Sequence, residues 1–102
     1  MVLIMKIEGY WSEGKNSNYP MPFVNEKPWS GKIEFLNKLV EIQKKSKIEH
    51  YKGISFCRIC NIINGSREYR RKEWKWPEGF FHYIMVHNVK PTQEFIDFIM
   101  GE

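Results

Sequence analysis

The sequence is poor in cysteine, with two among 102 residues, and it has no long apolar run. A small secreted domain held by disulfides would carry more cysteines. Two of them, spaced as Cys57-Arg58-Ile59-Cys60, exclude such a scaffold and leave metal binding or thiol redox chemistry in a reducing compartment. The apolar start, Met1 to Met5, is shorter than a signal-peptide core, and no later run approaches the ~18 residues of a membrane span. A soluble, cytoplasmic protein with no membrane partner is therefore expected. Charge of one sign is also scarce: a net charge of +4 favours an anionic partner only weakly and does not select nucleic acid by itself. What is abundant is apolar and aromatic content, 42% and 16%, which argues for one folded domain over residues 1–102 and against disorder.

The chain is organised around residues 57–87. Cys57 and Cys60 form a C-x2-C, and His82 and His87 form an H-x4-H after an intervening basic stretch. Two thiolates and two imidazole nitrogens make a tetrahedral donor set suited to zinc, which prefers soft sulfur and borderline nitrogen. The two-residue gap lets one tight turn aim both sulfurs at a point, and Asn61 follows where a left-handed backbone is often needed. The H-x4-H gap is harder to satisfy. At about 100° per residue, five helical steps leave the two rings roughly 140° apart, so both reach one ion only if the helix loosens or ends near His87. Otherwise the metal keeps three protein ligands and an open position. His50 is a weaker fifth candidate, because a lone histidine among charged residues is usually a surface residue.

Around this centre the patterning predicts an α+β domain with a zinc knuckle, a β-hairpin and three helices. A strand is expected over Val2–Glu8, followed by a long loop carrying Tyr10, Trp11, Tyr19, Phe23 and Trp29, which either pack down or form a recognition surface. A helix is expected from Gly31 to about Lys45, capped by Ser30, with Ile33, Leu36, Leu39 and Val40, and nearby Phe35 and Ile42, on its apolar face and Lys32 among its charged residues. A strand over Ile48–Ile54 leads into the cysteine turn. Asn64-Gly65 reads as a type I′ hairpin turn, with a second turn possible in principle at Arg71-Lys72-Glu73. Pro77 at a first helical position starts a second, nearly all-apolar helix ending near His87, and a last helix runs from Thr92 to about Met100.

The hairpin carries Arg67, Arg70, Arg71, Lys72 and Lys75 interleaved with Tyr69, Trp74 and Trp76. Cations that neutralise phosphates beside rings that stack on unpaired bases would suit a nucleic-acid face, with Arg67, Arg70, Arg71, Lys72, Trp74 and Lys75 as its contacts. The same alternation describes a half-buried strand with rings inward and charges outward. Three functions follow from these residues. The first is a non-catalytic zinc-stabilised binding domain that contacts nucleic acid or an acidic protein, with metal and fold of the second half as one equilibrium. The second is a zinc-dependent hydrolase-like enzyme in which Glu78, four residues before His82, serves as general base. The third is a C-x-x-C redox protein, which is disfavoured because that motif opens a helix, whereas here Cys60 leads into a turn. The residues favour the first.

Gly9-Tyr10-Trp11, Cys57-Arg58-Ile59-Cys60, Asn64-Gly65-Ser66, Trp76 to Gly79, His82-Tyr83, His87 and Pro91 with Phe95-Ile96 together resemble a group of short, uncharacterised bacterial proteins. Those proteins share GYW, CR-x-C, NGS and WPEG-x-x-HY-x-x-x-H motifs. The resemblance spans most of the chain and implies a shared zinc site without implying an activity. The chain departs from it at Arg70-Arg71-Lys72, where a Thr-Asp-Gly-like turn would be expected.

Overall fold

Rings and charges alternate through residues 69–76 because two strands there share one buried face. In the computed structural model, which describes residues 5–11 and 21–102, the elements run β1 (Lys6–Ile7), α1 (Lys32–Lys45), β2 (Lys47–Phe56), β3 (Ile63–Arg71), β4 (Trp74–Pro77), α2 (Phe80–His87) and α3 (Gln93–Gly101). This is the α+β domain with a cysteine knuckle and three helices that the patterning predicts. The sheet is mixed, in the order β1-β4-β3-β2, with β1 parallel to β4 and the other pairs antiparallel.

Tyr69 stands opposite Trp76, their rings stacked at 6.0 Å. Trp74 and Trp76 both meet the Phe95 ring of α3, at 5.1 and 5.3 Å, and Trp76 Nε1 donates to Gln43 Oε1 of α1 at 3.1 Å. The helices thus gather on the sheet face that carries the tryptophans. Phe35, Leu39, Ile42, Phe80, Ile84, Phe95 and Ile99 complete the core. Burying apolar area at roughly 25 cal/mol per Å² makes this cluster the main stabilising element of the domain.

Several boundaries differ from the expectations, each for a local reason. Ser30 does not cap α1. Gly31 does so without a side chain, at φ 87°, and its carbonyl accepts from Phe35 N at 2.9 Å. The buried stripe of α1 is Phe35, Leu36, Leu39 and Ile42, with Lys32, whereas Ile33 is 58% exposed and Val40 is exposed. Pro77 ends β4 opposite Glu68, so α2 begins three residues later at Phe80. Asn64-Gly65 is not the hairpin turn. It lies within β3 at a register shift, and a Cβ on Gly65 would stand 2.6 Å from Glu78 Oε1, while one on Gly79 would stand 2.6 Å from the Asn64 amide. Two glycines let the strand and the β4–α2 corner cross in close contact, a use of glycine that a turn dipeptide does not reveal. The β3–β4 turn is at Lys72, with φ 54°. Of the expected Val2–Glu8 strand, Lys6–Ile7 forms β1 and residues 1–4 lie outside the described residues, as does Tyr19. Thr92 caps α3, its hydroxyl accepting from Phe95 N.

Candidate metal centre

Cys57 follows the end of β2, and the chain turns back through residues 58–62 to enter β3. Asn61 takes the left-handed conformation at φ 61°. Its N–H donates to Cys57 O at 2.9 Å, while Cys57 N–H donates to Ile62 O at 2.8 Å. The turn is therefore closed by its own backbone. Inside it, the N–H groups of Ile59 and Cys60 point at Cys57 Sγ, at 3.4 and 3.5 Å. Tyr83 Oη accepts the Arg58 N–H at 2.6 Å and so ties the knuckle to α2.

The structure brings Cys57, Cys60, His82 and His87 together, with one ligand atom from each lying within 4.8 Å of the others. Cys57 Sγ is 3.4 Å from His87 Nε2 and Cys60 Sγ is 3.2 Å from His82 Nε2. A tetrahedral ion with metal–sulfur bonds of about 2.3 Å and metal–nitrogen bonds of about 2.0 Å separates such pairs by roughly 3.6 Å. The donor set and its spacing therefore fit a bound metal ion. Burial, and then the neighbouring His87, lower the pKa of His82, which favours the neutral imidazole that a metal requires.

The helical geometry that made H-x4-H difficult is resolved at the end of α2. Asn88 adopts a left-handed conformation, and its N–H reaches back five residues to Tyr83 O, with Val89 N–H donating to the same carbonyl at 3.2 Å. The helix thus ends at His87 through a turn wider than an α-turn, and the His87 ring lies beside that of His82. Their ring centroids are 5.2 Å apart. Residues remote in sequence hold this exit in place. Lys32 Nζ donates to Met85 O at 2.9 Å and Asn88 Oδ1 at 2.7 Å, and Asn25 N–H donates to His87 O at 3.2 Å. Lys32 and Asn25 are thus supporting residues that the sequence did not single out, and Tyr83 is one it named only within a motif. A lysine on a charged helix face carries no signal that it will be buried, while Tyr83, adjacent to His82, could have been suspected.

Glu78 is engaged elsewhere by hydrogen bonds. It precedes α2, and its carboxylate accepts from Ser66 N at 3.0 Å and from Arg67 Nε at 2.9 Å. Burial would raise its pKa, but the Arg67 guanidinium and the Ser66 amide outweigh it and hold the carboxyl below the usual range. A carboxylate engaged in this way is a corner post for the β3–α2 crossing and a poor general base. His50 is exposed on β2 opposite Arg67 and does not join the cluster.

The hairpin residues are not arranged as one stacking face. Trp74 is 3% exposed and Trp76 lies beside it in the core, so neither presents a ring to a base. Arg67 pairs with Glu78, Lys75 with Glu68 at 2.8 Å, Arg71 and Lys72 with Glu102 at 2.8 Å, and Arg70 with Glu49 at 3.8 Å. Of the loop aromatics, Trp11 and Trp29 pack against the core, whereas Phe23 is 76% exposed. No helix among the described residues is long and apolar enough to cross a membrane. Comparisons with protein-family models, curated proteins and solved structures each found no match.

Proposed function

We propose that this chain is a zinc-stabilised binding domain whose metal is structural, and that its basic end contacts the phosphates of nucleic acid. The convergence of two sulfurs and two imidazole nitrogens carries the reading, because four protein donors fill a tetrahedron and leave no position for a substrate. Zinc suits this mixed set better than the harder divalent ions, which favour oxygen. Bound there, it would clip the knuckle to α2. The position of Glu78 agrees with a non-catalytic role.

Support for a polyanionic partner comes from the end of the sheet remote from the knuckle. Lys44 and Lys45 close α1, Lys47 stands opposite Arg70, and Arg71 Nη1 donates to Lys45 O at 3.2 Å, with Lys72 beside it. These cations outnumber Glu49 and Glu102, the carboxylates that pair with them. With Trp74 and Trp76 buried, contact at this end is with phosphates and independent of base sequence. Single-stranded DNA titrated at two salt concentrations tests it. The affinity should fall with a log–log slope of about −0.7 per phosphate contacted, and Lys47→Ala combined with Arg70→Ala should reduce that slope by about two contacts. Unchanged binding by the double variant would remove the basic end from the account.

A further inference from the structure

Next to the metal centre, a cleft of about 890 Å³ opens between the knuckle, the Gly9–Trp11 segment and β2. Beside it β2 leaves its register: His50 is paired with Arg67 and Ser55 with Gly65, a β-bulge over residues 51–54. Such bulges re-aim side chains at functional sites. The walls combine half-buried Tyr10 and Trp11 with Phe56, which is 42% exposed, and the rim carries Ser55 and Asn61. Arg58 is the one charged side chain among the described residues that line it. A cluster of aromatic residues with neutral hydrogen-bonding groups and a single cation at the edge does not suit an acidic peptide, which needs several cations, or a lipid chain, which needs a wholly apolar bed. It suits a flat heteroaromatic ring with a polar edge.

We infer that this cleft takes an unstacked nucleobase, its ring against Phe56 and the Tyr10–Trp11 wall and its edge toward Ser55 and Asn61. This rests on the nucleic-acid reading above and deepens it, since a base inside a duplex cannot enter without the cost of unstacking. The preferred partner is then single-stranded, held by phosphates at the basic end and by a base at the metal end. The base could equally be that of a free nucleotide, and the experiment distinguishes the two sources. Three of the walls lie on or beside metal-holding segments: Cys57 and Asn61 belong to the knuckle, and Tyr83 lies between His82 and His87. The metal therefore sets the shape of the cleft.

The zinc-loaded chain should be titrated with oligo-dT of about eight nucleotides and with an abasic strand carrying the same phosphates. The base-bearing strand should bind about tenfold more tightly, the scale of base stacking on a protein ring. Phe56→Ala, at a half-exposed position, should bring that ratio close to one, and Phe56→Trp should keep it. Competition by dTMP alone would identify a free nucleotide as the source, and competition only by the strand would identify single-stranded nucleic acid; either outcome supports the base site. Equal affinity for the two strands, or a ratio indifferent to Phe56→Ala, overturns the base site and leaves the basic end standing. Binding of neither strand overturns both.

Discussion

The two ends of the sheet are held together by different physics. At the helix-covered end, Trp76, Phe35, Leu39, Ile42, Phe95 and Ile99 are fully buried and the rings of Trp74, Trp76 and Phe95 interlock. At the knuckle end, Ile54, Phe56, Ile59, Ile62 and Ile63 are all exposed. There Cys57 is buried, and the turn meets α2 through the Tyr83–Arg58 hydrogen bond and the cluster of Cys57, Cys60, His82 and His87. One end is a hydrophobic core, and the other is an exposed apolar hairpin tip beside four side chains that could hold a metal ion. Sequence separation alone, with some 20 residues between the cysteines and histidines, implied that the whole second half depends on the metal. With the tryptophans buried among the helices, we expect that dependence only at the knuckle and the exit of α2.

Chelation, or Cys57→Ser, should separate the ends most sharply. Metal content should fall from one ion per chain to none by elemental analysis. Amides of residues 58–62 should lose hydrogen-exchange protection while the Trp74 and Trp76 environment, read by fluorescence, stays native-like. A chelated protein that exposes its tryptophans would show that the two ends form one cooperative unit. The complementary change is Trp76→Ala, which removes a fully buried indole from the core. It should cost about 3–5 kcal/mol in denaturant unfolding, with metal stoichiometry unchanged at temperatures where the variant remains folded.

The difference between the ends also explains what could be read from the sequence. The ligand set was legible because cysteine and histidine have few other reasons to recur at such spacing, and the knuckle turn was marked by Asn61. Helix α3 was legible from Thr92 to Gly101 because its cap and its apolar period agree. Less legible were features created by close approach of segments distant in sequence. Asn64-Gly65 carries the chemistry of a tight turn, yet Gly65 is small because Glu78 stands against it. Pro77 carries the chemistry of a helix start, yet strand pairing with Glu68 claims it first. The alternation of Arg and Trp through residues 67–76 fits a stacking surface and a half-buried strand equally. Only the helices packed on one face decide between them.

Lys32 offers a finer probe, because it belongs to the core helix α1 but acts on the metal end. Its ammonium donates to Met85 O, a carbonyl of the last turn of α2, and to the side-chain oxygen Asn88 Oδ1. Lys32→Met keeps most of the apolar stem and removes the donor. The expected cost is about 1.5–3 kcal/mol, the range for hydrogen bonds from a charged group. Because His87 ends the same turn, metal affinity should fall by about 10–100-fold, as for other residues that orient ligands. Competition with a chromophoric chelator measures the second quantity. A stability loss with unchanged metal affinity would show that the exit of α2 is rigid without its lysine.

The smallest expected effect is at Glu78, and it discriminates between a structural and a catalytic carboxylate. Glu78→Gln keeps an acceptor for the Ser66 N–H but loses the charge facing Arg67, so it should cost a few tenths to about 1 kcal/mol at neutral pH. The carboxyl is held below its ordinary pKa in the folded state, so its contribution is complete above the unfolded value of about 4.3 and is lost as pH falls through the folded one. The stability difference between wild type and variant should therefore be constant from neutral pH to about 5 and close toward zero in stronger acid. Protonation of the thiolates and imidazoles releases metal from both proteins alike over that range, which is why the difference, and not either curve, isolates the carboxylate. A Glu78→Gln protein as stable as the wild type at every pH, but lacking a hydrolytic activity that the wild type has, would make Glu78 the base of a catalytic site and end the structural reading.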